Sequence, residues 1–257
     1  MGIITNKRAR LLLASLVLSG GLGLLSYPLY RDSIVLAAVF PFLALILTFI
    51  SLGRLRGVEI LTLSILPTLF ALGASVNQYL FPNLHLLVKG LSWAIFFFCF
   101  YILLLALNVF KVGRIRGEII PLGKAAKPVV FLAAFGVSFL LLTALYKFDL
   151  GFIPSLLGVF VLVFLLALNA LWFLTVTDLL ERRLFAAAGL IGMAAVQISL
   201  AFSFFPWKAH LRGLSEAVFF YAALGVTRAY QEKHLKYSIV LEYILVSLAV
   251  FLLARFI

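Results

Sequence analysis

The sequence predicts an all-α integral membrane protein: nine transmembrane helices, arranged as two parallel four-helix repeats followed by a C-terminal helix. Three observations lead there. Hydrophobic residues make up 65% of the 257 positions and charged residues 12%, with a mean hydropathy of +1.21, where a soluble domain carries roughly 25% charge. Apolar stretches long enough for a hydrocarbon core of about 30 Å recur along the whole chain. The segment FPNLHLLVKGLSWAIFF at 81–97 returns, one residue shorter, as FPWKAHLRGLSEAVFF at 205–220.

Taken in order, the spans are expected near 10–29, 33–52, 58–80, 86–110, 128–146, 151–176, 184–205, 211–230 and 238–255. The first follows Lys7, Arg8 and Arg10, as in a secretory signal, but no small-x-small cleavage site precedes Tyr27-Pro28, so it reads as a retained span. Pro41 and Pro67 fall inside the second and third spans, where kinks are expected and each carbonyl that a proline frees must find another donor. Small residues at Ser19 to Gly23, 71–74 and 186–195 suit close helix packing. The connections are too short for a soluble domain.

The net charge of +12 is distributed by side of the membrane rather than gathered into a nucleic-acid groove. Alternating the loops places fifteen of the 21 Lys and Arg residues on one side and six on the other. The positive-inside rule then puts the N-terminus in the cytoplasm of an inner-membrane protein and the C-terminus outside. GRLRG at 53–57, GRIRG at 113–117, Lys124 and Lys127 form a basic cytoplasmic surface, and anionic lipid headgroups are its expected partners. Glu59, Asp178 and Glu242, at the same ends, are expected to pair with Arg56, Arg182 or Lys236.

The repeat extends beyond its first segment. LLSYPLYRDSIV at 24–35 lies on LLTALYKFDLGF at 141–152, so spans one to four match spans five to eight. Four is an even number, which makes the repeats parallel, related by an axis along the membrane normal. The organisation expected is residues 1–120, a first four-helix repeat; 121–236, a second; and 237–257, the ninth helix. The GRxRG echo, closing the second and fourth spans, hints at an older two-helix unit.

The matched segments hold the candidate ligand site: Lys89, Gly90 and Ser92 in one copy; Arg212, Gly213, Ser215 and Glu216 in the other. With Ser92 and Ser215 as N-caps, each copy offers a helix's positive end, a cation one turn earlier and a flexible glycine, which suits a carboxylate, a phosphate or a lipid headgroup. The plainer reading is a pair of interfacial turns with snorkelling cations. The copies diverge where Trp93, a residue for the aromatic belt, faces Glu216. Glu216 is placed to pair with Arg212, to favour a helix start or to bind a cation or proton. Asn77, Gln78, Asn108, Asn169 and Gln197 are the polar residues inside the spans, with Gln197 the deepest; such groups tie helices together more often than they line a pathway.

No metal, nucleotide or hydrolase motif is complete, so neither a cofactor nor a metal is expected. His85, His210 and His234 show no ligand spacing, and the single Cys99 reads as a buried hydrophobe-like residue. The leading functional reading is a membrane protein of transporter-like or lipid-binding type, with an anionic group near Lys89 and Arg212, between the repeats. Its alternatives are a non-catalytic structural or accessory subunit of a membrane complex, and an intramembrane enzyme acting on lipid or isoprenoid substrates through His210, Glu216 and Lys208.

Overall fold

The computed structural model describes residues 6–27, 33–55, 57–116, 121–175 and 181–256, with the backbone alone given at 114–116 and 121–124. Arg31, Arg56 and Asp178, and the side chains of Arg114, Arg116 and Lys124, lie outside what is described. Nine helices account for the regular structure of these residues: α1 (Lys7–Leu25), α2 (Ile34–Leu52), α3 (Val58–Leu80), α4 (Leu86–Arg116), α5 (Pro121–Lys147), α6 (Phe152–Thr175), α7 (Arg182–Phe202), α8 (Ala209–Gln231) and α9 (Tyr237–Phe256). Eight of them, all but α8, are long and apolar enough to cross a membrane. With His210, Arg212, Glu216 and Arg228 along it, α8 is the least apolar of the nine helices.

The helices gather into two compact units, residues 1–133 and 134–257, divided within α5. In the first, α1 packs on α2 and α4, α2 on α3, and α3 on α4. The stripe Leu11, Ala14, Ser15, Leu18 and Leu22 on α1 is buried, at the spacing that aligns side chains on one helical face. Pro41 lacks the N–H that would reach Ala37 O one turn back. The Ser75 hydroxyl of α3 donates to that carbonyl at 2.9 Å, so the polar group freed by the proline is satisfied by the neighbouring helix.

In the second unit α7 packs on α6 and α8, and α8 on α6 and α9. Every residue of α6 from Leu166 to Phe173 is buried, as expected of a helix apolar all round with neighbours on several faces. The close approach of α8 to α5 depends on Gly213: a Cβ there would lie 2.8 Å from Thr143 N and 3.1 Å from Thr143 Cα.

Three expectations are corrected. GRLRG closes α2, with Gly53 at φ 76°, but GRIRG does not close α4, which continues as helix through Arg116. Cys99 is exposed, on an outward face of α4 beside the exposed Phe98. The buried face of α7 passes through Ser199, and Gln197 on the same helix is exposed. Ser92 and Ser215 are not N-caps, since α4 starts at Leu86 and α8 at Ala209, six residues earlier in each case. A glycine inside a helix costs only about 1 kcal/mol, too little for Gly90 or Gly213 to interrupt a helix that packing supports.

Candidate functional site

Each matched segment builds a polar cluster at one end of its unit. In the first segment Lys89 Nζ donates to Pro82 O at 2.7 Å, so the ammonium closes its own preceding turn. Ser92 donates back to Lys89 O at 2.7 Å, a common outlet for a serine hydroxyl within a helix. A Cβ on Gly90 would meet nothing within 4 Å. The Trp93 indole N–H donates to Ser26 Oγ at 3.2 Å, and Ser19 Oγ donates to Trp93 O at 3.0 Å, tying α4 to α1 at both ends of that residue. Gln78 Nε2 from α3 also donates to Ser26 Oγ, whose own proton goes to Leu22 O at 3.2 Å. Trp93, Ser26 and Gln78 thus join three helices.

The second segment uses charge. Glu216 is 4% exposed. Its Oε1 accepts from Arg212 Nε at 3.2 Å and its Oε2 from the Tyr146 hydroxyl at 2.5 Å. Arg212 Nη2 donates to Ser199 O at 2.8 Å and to Ser199 Oγ at 3.1 Å, and Ser199 Oγ and the Tyr146 hydroxyl stand 2.8 Å apart. The guanidinium carbon also lies 4.0 Å from the centre of the Tyr146 ring, a cation–π contact. Arg212, Glu216, Ser199 and Tyr146 therefore knit α8, α7 and α5, with the carboxylate and guanidinium compensating each other. Ser215 Oγ is buried nearby without a hydrogen-bond partner.

Of the sequence-selected residues, Arg212 and Glu216 meet, and Gly213 serves packing. Lys89 belongs to the first unit and Arg212 to the second. His210 and Lys208 are exposed, whereas the carboxylate of Glu216 is buried against Arg212 and Tyr146. Asn77 donates to Gly73 O at 2.8 Å, within its own helix. Asn108 Oδ1 is buried without a partner, and Asn169 is buried in α6. Ser26, Tyr146 and Ser199 were not singled out. A signal existed for the serine: Ser199 precedes Phe205 by six residues, as Ser75 precedes Phe81.

The second unit also holds a groove of about 1520 Å³ between α7, α8 and α9. Its walls include Ile191, Ala194, Ile198, Ala222, Val226 and Ile244, and one end carries Glu181, Arg183, Gln231 and Lys233. The other end is closed by an aromatic cluster, in which Phe202 and Phe251 stack at 5.6 Å and Trp207 lies 4.8 Å from Phe202 and 5.3 Å from Phe251. Tyr243, whose ring lies where a side chain on Gly225 would stand, sets the approach of α9 to α8. Nothing in the amino-acid pattern announces this groove, because its walls are ordinary apolar helix residues.

Among protein families, that described as protein of unknown function (DUF5656) matches residues 51–257. No curated protein and no solved structure matches the chain.

Proposed function

The chain belongs to the DUF5656 family, and we propose that this member is a multi-pass inner-membrane protein that binds an amphiphilic small molecule, as a transporter or lipid carrier does, rather than converting one. The observation that carries this reading is the α7–α9 groove. At about 1520 Å³ it exceeds the roughly 300–1,000 Å³ of usual small-molecule pockets, and its lining is apolar along the helices and polar at one end.

The architecture we propose around it is nine spans in two parallel four-helix repeats, 1–120 and 121–236, with 237–257 as the added helix and the N-terminus cytoplasmic. The α8 helix counts as a span because its charges are compensated: Arg212 and Glu216 hold each other, and Arg228 Nε meets Glu232 Oε1 at 3.2 Å at its end. Duplication is supported by parallel roles at matched positions. Trp93 and Glu216 each tie the fourth helix of a repeat to the first, through Ser26 in one case and Tyr146 in the other. The pairing of α2 with α3 likewise corresponds to that of α6 with α7.

The engagement of Arg212 Nε by Glu216 and of Nη2 by Ser199 weighs against a freely available anion site there, and the exposure of His210 and Lys208 while the Glu216 carboxylate is buried weighs against catalysis by that trio. The test is to purify the protein in mild detergent and measure bound lipid by native mass spectrometry, beside an Ala222→Phe variant that narrows the groove. We expect a retained amphiphile in the wild type and its loss in the variant. Equal occupancy in both would overturn the reading.

A further inference from the structure

Resting on the groove as a binding site, we propose that its ligand is an anionic phospholipid, with the phosphate held between Arg183 and Lys233 and the chains running along α7 and α9 toward Phe202 and Phe251. Both cations line the same end of the groove. Arg183 stands in the first turn of α7, where there is no acid, and the N-cap residue Glu181 makes no side-chain capping bond. Cations at a helix's positive end are disfavoured, and an anion set beside them relieves both the side chain and the helix dipole.

Lys233 lies just beyond α8, at the end whose partial negative charge favours a cation. It holds φ 56°, a left-handed conformation usually left to Gly or Asn, while Lys233 N bonds to Tyr230 O at 3.1 Å and His234 N to Ala229 O at 2.9 Å. The turn thus keeps a lysine at a position whose backbone favours glycine. Among the described residues lining the groove Glu181 is the acid, and the neighbouring Glu232 is engaged by Arg228. Arg182 and Lys236, both exposed beside it, leave the rim positive.

The walls below this rim are apolar, from Ile191 and Val226 to Ile198 and Ile244, and lead to Phe202 and Phe251. A charged rim followed by apolar walls matches the order of groups along a phospholipid, headgroup first and acyl chains after it.

The experiment compares phosphatidylglycerol with phosphatidylcholine of identical chains, titrated against the detergent-purified protein and read by native mass spectrometry. Wild type should prefer the anionic lipid by about tenfold or more, the scale expected of two surface cations. The double variant Arg183→Gln/Lys233→Gln should lose that preference while still taking phosphatidylcholine at the wild-type level. A wild type without preference, or a double variant that keeps it, would overturn the anionic assignment. If Ala222→Phe abolishes both lipids in that same series, the groove reading stands without the headgroup claim. If it alters neither, the groove reading itself fails.

Discussion

Ser75 on α3 donates its hydroxyl to Ala37 O on α2 at 2.9 Å, the carbonyl that Pro41, four residues further on, leaves without its helical donor. One side chain thus both permits a proline inside a membrane helix and fastens α3 to α2.

Replacing Ser75 by Ala should therefore destabilise the protein by about 1–2 kcal/mol, the cost of a buried carbonyl left unsatisfied. Restoring the donor in the helix itself, with Pro41→Ala added, should recover part of that loss. A double-mutant cycle on detergent-solubilised protein measures it. Strict additivity of the two changes would mean that the serine and the proline are not coupled.

The two motif glycines should respond in opposite directions. Ala at 213 meets the Thr143 backbone at 2.8 and 3.1 Å, and backbone does not swing aside as a side-chain end does. Gly213→Ala should lower stability by about 1–3 kcal/mol, the cost of overpacking. Gly90 has open space and lies inside α4, so Gly90→Ala should raise stability by roughly 0.5–1 kcal/mol through helix propensity. Thermal midpoints shifting the same way would contradict this packing difference.

That contrast marks how far the sequence could be read. Helix positions were legible because apolar length is a property of the chain alone, and α3 falls at the expected 58–80. Compensation between helices was not: Arg212 and Glu216, one turn apart, were recognisable as a pair, but Tyr146 and Ser199 arrive from other helices. The N-cap reading failed because Lys89-Gly90 and Arg212-Gly213 resemble a helix start in composition, while packing carries both helices six residues further back. The groove was invisible for a related reason, since Ala194 and Ala222 look like any small span residues until α9 fails to cover them.

Tyr146 gives a finer probe of the charged cluster. Its hydroxyl is 2.5 Å from Glu216 Oε2 and 2.8 Å from Ser199 Oγ, while its ring carries Arg212 at 4.0 Å. Tyr146→Phe keeps the ring and removes only the hydroxyl, so about 1.5–3 kcal/mol, the worth of a hydrogen bond to a charged group, should be lost. Tyr146→Leu removes the ring as well and should cost more by the cation–π contribution of about 0.5–2 kcal/mol. Chemical denaturation in mixed micelles would rank the two, and equal losses would mean that Arg212 gains nothing from the ring.

The ion pair itself should show the asymmetry of buried charge. The Glu216 side chain is 3% exposed and that of Arg212 18%. Arg212→Gln strands a buried carboxylate and should destabilise by about 3–5 kcal/mol, whereas Glu216→Gln leaves a cation with its bonds to Ser199 and an outlet to solvent, and should cost less. The double replacement should be milder than Arg212→Gln alone, because no uncompensated charge remains inside. Were the pair instead a ligand site in which Arg212 awaits an external anion, Glu216→Gln would raise affinity for phosphate or carboxylate ligands by removing their competitor. Thermal shifts of wild type and Glu216→Gln across a phosphate titration distinguish the two: a cluster that serves architecture predicts no phosphate-dependent gain in the variant, and a gain would assign Arg212 to binding.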